Sequence, residues 1–226
     1  MSEAVATTAA PAKDHSFLLR KLHSLSGIVP IGGFLLFHLF ENMKIGLSPD
    51  TYEESIRHLW EMAPRPVFYV IELAVIFVPI LFHSLYGFWI WYTGQSNAGQ
   101  YGYRRNWMYT LQRWSGLVAF AYMAWHVYEL RFAPGVFRPT AENLTKFREV
   151  ADAITPAFGT IVYLVGGIAA AFHLGNGLFG FAYSWGLAIG KKAQDRVEVA
   201  GWVVFLLLSA AVVYTVVRIH WPVASL

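Results

Sequence analysis

The sequence predicts an all-α integral membrane protein, a bundle of five transmembrane helices, and three observations carry that prediction. Of its 226 residues, 56% are hydrophobic and only 14% are charged, against about 25% charged in a soluble domain of this length. Mean hydropathy is positive, and the few charges are bunched between apolar runs. The runs themselves have the right length, because a helix rising ~1.5 Å per residue needs about 20 residues to cross a ~30 Å hydrocarbon core.

The chain reads as a single membrane domain, 1–226, with helices expected at about 24–43, 66–92, 113–131, 156–183 and 199–219. The first has no charge from Ser24 to Phe40, and the second holds a single one, Glu72. The uncharged part of the third, Trp114 to Tyr128, is short, bounded by Arg113 and Glu129. It crosses if its Trp- and Tyr-rich ends lie among the headgroups. Ala153 to Gly190 is free of Asp, Glu, Lys and Arg, too long for one crossing and slightly short for two. It is expected to form one helix with an amphipathic tail through Gly190. Residues 1–22 are polar or small, with no apolar core, and are expected to remain as a cytoplasmic N-terminal segment.

Five crossings place the termini on opposite sides. Nine Lys/Arg then fall on the N-terminal side (Lys13, Arg20, Lys21, Arg104, Arg105, Arg113, Lys191, Lys192, Arg196) and eight, including Arg138, on the other. The balance leans toward a cytoplasmic N-terminus. A net charge of +3 fits loop Lys/Arg rather than nucleic-acid binding. The absence of cysteine excludes disulfides, iron–sulfur ligation and c-type haem attachment on this chain.

Four of the apolar segments carry one histidine each, and each histidine follows an aromatic or apolar neighbour: His38, His83, His126 and His173. His83 and His173 share the pattern Phe-His-x-x-x-Gly, ending at Gly87 and Gly177. Threading the helices alternately up and down puts His38 and His126 toward the outer face. His83 and His173 fall toward the inner face. Neutral imidazoles from facing helices are axial ligands for a low-spin haem, so two haems at two depths are expected. Gly87 and Gly177, on the ligand face, leave room for a flat macrocycle. A single histidine in a membrane helix also serves as a helix–helix hydrogen bond, but that reading does not account for four paired by depth. Zinc or copper is disfavoured, since no carboxylate or sulfur stands at ligand spacing.

The remaining histidines read differently: His15 and His58 as solvated, His23 and His220 as interfacial groups at helix ends. Haem propionates need cations or hydroxyls at the membrane boundary, and Arg20, Ser26, Arg113 and Ser115 are the candidates. An ionisable group inside a membrane helix is functional by default. Glu72 lies 11 residues before His83, about 16 Å toward the outer face, where a quinol would lose protons. The alternative is an interfacial carboxylate near its own helix end. Glu72, His23 and Glu129 are the candidate quinone-site residues.

Four stretches taken together resemble one family: His23-Ser24-Leu25…Gly27, residues 81–87 (Leu-Phe-His-Ser-Leu-Tyr-Gly), Asn97-Ala98-Gly99-Gln100-Tyr101 through Leu111-Gln112-Arg113, and residues 124–129 (Ala-Trp-His-Val-Tyr-Glu). The family is the dihaem cytochrome b subunit of succinate:menaquinone oxidoreductase, the five-helix single-anchor class shared with some fumarate reductases. The resemblance runs from about Phe17 to the C-terminus. It implies a multi-pass anchor in a bacterial cytoplasmic membrane, with flavoprotein and iron–sulfur partners that hold the FAD and clusters. It implies two haems b, a proximal one on His83 and His173 and a distal one on His38 and His126, with menaquinone as electron acceptor. Some fumarate reductases of the class place a glutamate two residues before the fourth ligand, where this chain has Ala171. That favours succinate oxidation over fumarate reduction. A trimer of complexes is compatible with the sequence. The rival readings are the dihaem subunit of another quinol-linked enzyme, such as nitrate reductase, and a haem-free scaffold or transporter.

Overall fold

The computed structural model describes residues 16–132 and 145–221, all of them helix, turn or connecting segment. His15, Arg138 and the first fifteen residues of the expected N-terminal segment lie outside the described residues. The long helices are α1 (Ser16–Gly46), α3 (Arg65–Thr93), α4 (Arg104–Val127, continued as π-helix over Tyr128–Phe132), α6 (Ala157–Ser184) and α7 (Lys191–His220). Two short helices lie between them, α2 (Pro49–Glu61) and α5 (Lys146–Ile154).

Among the described residues, four helices, α1, α3, α6 and α7, are long and apolar enough to cross a membrane. Helix α4 has the length, about 36 Å at helical rise, but begins with Arg104 and Arg105 and carries Arg113. Large apolar side chains stand exposed along the outer faces, among them Leu36, Phe40, Val70, Leu81, Trp89 and Leu207. A water-soluble monomer does not expose apolar surface on that scale.

The helices overrun the apolar stretches at their ends. Helix α1 starts at Ser16 rather than near Ser24, α4 at Arg104 rather than 113, and α7 at Lys191 rather than 199. Hydropathy marks only what lipid covers, whereas the helix continues into the polar boundary. There its own pairs hold it, as Lys191 and Asp195 do at 3.1 Å. The tail after α6 is not a helix. Gly186 adopts a left-handed φ of 72°, Leu187 N–H donates to Ala182 C=O at 2.9 Å and Gly186 N–H to Tyr183 C=O at 3.2 Å. These are the bonds of a Schellman close, and they turn the chain directly into α7.

Helix α6 is the centre of the bundle. It packs along α7 on one side and α4 on the other. Gly175 and Gly201 let α6 and α7 touch backbone to backbone: a Cβ at Gly175 would lie 2.5 Å from Gly201 O. At the end of the bundle that holds His126, α2 and α5 close it. Ser48 caps α2 by accepting from Thr51 N–H at 3.0 Å ahead of Pro49, and Thr145 caps α5. They bury Ile45, Tyr52, Val150, Ile154, Tyr163 and Val216 in one cluster.

Candidate haem and quinone sites

Between α1, α3, α4 and α6 runs a cavity of about 800 Å³ lined by all four candidate histidines, within the about 300–1,000 Å³ range of cofactor pockets. Its lining includes Arg113 at one end, and Glu72 and Arg131 at the other. The histidines meet in the two expected pairs. His83 and His173 have ring centroids 6.1 Å apart with planes at 90°. His38 and His126 are 5.7 Å apart at 77°. Two imidazoles on opposite sides of one metal atom, each bonded at about 2 Å, place their ring centres roughly 6 Å apart. Tyr163, which touches His126, precedes His173 by ten residues, so the two levels are about 15 Å apart along the bundle.

The inner pair is held by main chain. His83 Nδ1 lies 2.9 Å from His23 C=O, and His173 Nδ1 lies 3.0 Å from Gln112 C=O. Carbonyls only accept, so each Nδ1 carries the proton and each Nε2 keeps its lone pair, the arrangement of a metal-ligating histidine. Ser26 Oγ and Ser115 Oγ lie 3.4 Å and 3.3 Å from the same Nδ1 atoms. The outer pair is held by side chains. Tyr163 hydroxyl lies 3.3 Å from His126 Nδ1 and donates to Glu129 at 3.2 Å. Asn42 donates to the His38 carbonyl at 2.7 Å and meets His38 Nε2 at 3.3 Å. The second, longer contact is one that a ligating nitrogen would give up.

Among the described residues, no three His, Cys, Asp or Glu side chains gather as a free metal ion would require. The donor set instead fits haem: neutral imidazoles in twos, an apolar cavity between them, and proton-accepting partners on the Nδ1 atoms of His83, His173 and His126.

The other candidates fall as follows. His23 is not at a helix end, because α1 begins at Ser16; it stacks on His83 with centroids 4.0 Å apart and planes 10° apart. Gly87 and Gly177 line the cavity, and a Cβ on each would touch His23 Nε2 at 3.3 Å and Gln112 Nε2 at 3.4 Å. Arg113 lines the cavity and donates to the carbonyls of Trp91 and Gly94, capping the end of α3. Its Nε is buried without a partner. Arg20 is exposed and outside the cavity lining. Glu72 lines the cavity and pairs with Arg131 at 2.9 Å. Glu129 accepts from Trp125 Nε1 at 3.1 Å as well as from Tyr163. His58 is exposed on α2, and His220 meets Thr160 Oγ1 at 2.9 Å.

Sequence reading missed Asn42, Gln112 and Tyr163. Asn42 was detectable as the residue one turn after His38. Gln112 donates to His173 C=O at 3.0 Å and accepts from Asn176 at 2.8 Å. Gln112 is marked in the sequence only by the Leu-x-x-x-Ser-Gly pattern that residues 111–116 share with 22–27, and Tyr163 carries no signal, since it acts across helices.

No family model matches the chain. It is 34% identical, over 196 residues, to the succinate dehydrogenase cytochrome b558 subunit of Bacillus subtilis (strain 168), covering 87% of this chain and 93% of that protein. That match, with the paired histidines, places this chain in the family of succinate dehydrogenase cytochrome b558 subunits, the membrane-anchor cytochromes of complex II.

Proposed function

We propose that this chain carries two haems b, the proximal on His83 and His173 and the distal on His38 and His126. It would pass electrons from an iron–sulfur partner through them to menaquinone. The pairing of four histidines at two depths in one cavity carries this reading. Bound haem would supply one-electron transfer. The protein's part is to hold the ligand rings, exclude water and handle protons where quinone is reduced.

The fifth crossing belongs to this reading. Helix α4 supplies His126 and the carbonyl that meets His173, so it must run beside α6 through the same depth. The N-terminus is then cytoplasmic, with the flavoprotein and iron–sulfur subunits docked on the side of the proximal pair. Arg113 is positioned for a propionate, with an unpartnered Nε at the inner end of the cavity. Quinone is best served at the outer end. There Glu72 and Arg131 each begin or occupy a π-helical stretch, Glu72–Phe77 and Tyr128–Phe132, and such stretches recur at functional sites. A carboxylate and a guanidinium facing the cavity offer a proton donor and a hydrogen bond to a quinone carbonyl.

The test is the fraction of dithionite-reducible haem that succinate reduces in the complex isolated in mild detergent. Reduction of part or all of it supports the assignment. Haem that dithionite alone reduces assigns the chain to a different electron donor, and absence of haem refutes the reading.

A further inference from the structure

We propose that residues 22–27 and 111–116, both of the form Leu-(His/Gln)-x-x-Ser-Gly, are a duplicated cradle that fixes the orientation and protonation of the proximal ligands. The inference rests on the haem reading above. It concerns residues that neither the ligand set nor the family membership assigns.

The two stretches lie on different helices, yet they treat the two rings alike. On α1 the carbonyl of His23 takes the Nδ1 proton of His83 at 2.9 Å, and Ser26 Oγ donates to that same carbonyl at 2.9 Å. On α4 the carbonyl of Gln112 takes the Nδ1 proton of His173 at 3.0 Å, and Ser115 Oγ donates to it at 3.1 Å. A Cβ on Gly27 would stand 2.5 Å from His83 Cε1, and one on Gly116 would stand 2.8 Å from His173 Cε1. Even the first side chain repeats its place, against Gly87 for His23 and against Gly177 for Gln112.

Each position has a physical reason. A helical carbonyl is already spent on the amide four residues on. It can accept a ring N–H as well only if the ring comes close over that next turn, and the residue there is the glycine. Any other residue would place a Cβ inside van der Waals contact with the imidazole. Serine one position earlier back-bonds to the same carbonyl, which draws on its electron density and tempers its pull on the ring proton. The shorter carbonyl bonds, rather than the 3.3–3.4 Å serine contacts, dominate the ring's protonation. The carbonyl makes the imidazole a stronger donor through Nε2. The serine limits how far. Among the described residues the distal pair has no such arrangement: its partners are Asn42 and Tyr163.

The experiment uses the intact complex with Ser26→Ala, Ser115→Ala, both together, and threonine at each position. It reads haem per chain, the two haem midpoint potentials and the low-spin resonance signals. Relieving the carbonyl of its serine strengthens its bond to Nδ1, so the alanine variants are expected to keep both haems. The proximal potential should fall and its resonance signal shift, the double variant exceeding either single one. The distal haem should not move, and threonine should restore the wild-type values. Gly27→Ala and Gly116→Ala should lose the proximal haem and halve the haem content. A proximal potential that stays or rises in the serine variants, or a change confined to the distal haem, overturns the cradle. Wild-type complex without haem overturns the underlying reading instead, and is told apart by that result alone.

Discussion

The inner and outer histidine pairs sit in one cavity but are built on different principles. The inner rings are fixed by backbone carbonyls of the neighbouring helices, groups that cannot ionise and cannot move without unwinding a helix. In the other pair the partners are side chains: Tyr163 meets His126 Nδ1 and leads on to Glu129, and Asn42 stands beside His38, bonded to its carbonyl. Glu72 and Arg131 stand at the same end. A relay that only passes electrons gains from rigid, uncharged surroundings. A site that must also deliver protons needs ionisable side chains within hydrogen-bond reach. Under the proposed function, this contrast matches electron entry at the His83–His173 pair and quinone chemistry at the end that holds Glu72 and Arg131.

Ligand removal breaks the comparison most severely. His83→Ala or His173→Ala should halve the haem content and abolish succinate reduction of the haem that remains. His38→Ala or His126→Ala should halve it too, yet leave the proximal haem reducible by succinate. Haem quantitation with succinate and dithionite difference spectra reads both. Next comes Glu72→Gln, expected to slow succinate-driven quinone reduction about 100-fold while leaving haem reduction by succinate unchanged; stopped-flow spectra separate the two steps. Loss of both together would place Glu72 in the structure rather than in proton delivery.

Smaller effects come from the outer support. Tyr163→Phe and Asn42→Ala should each cost about 1 kcal/mol, read as a lowered thermal midpoint, with the distal haem's resonance signal broadened and the proximal one unmoved. The smallest is a pH effect in α2. Burial, reinforced by the carboxylates of Glu53, Glu149 and Glu41, pushes the Tyr52 phenol above its ordinary 10.0. Its folded value is raised, so its contribution is complete below pH 10 and lost as the pH climbs above it. Thermal unfolding between pH 9 and 11 should show that loss, and Tyr52→Phe should remove it.

Much of this was legible in the sequence, and the parts that were not share a cause. Histidines alone on apolar segments declare themselves, because lipid tolerates few polar side chains, and their depth follows from chain order. Glu72 stood out for the same reason. Helix ends did not, since hydropathy reports the lipid-covered part and α1 continues back to Ser16. That misplaced His23, which belongs against His83 rather than at an interface. Ser26 and Ser115 were singled out in the sequence as propionate contacts, whereas the structure sets their hydroxyls on the His23 and Gln112 carbonyls, and that role depends on which carbonyl faces which ring. That is a property of two helices together. Tyr163 was invisible for the same reason, and so was the contact that Gln112 makes with His173.

The most direct test of the account is haem per chain in the purified complex, measured together with its low-spin resonance spectrum in the oxidised state. Two haems per chain with two distinct bis-histidine signals, one lost in His173→Ala and the other in His126→Ala, is the predicted result. One haem per chain, or a single signal lost in both variants, would contradict it.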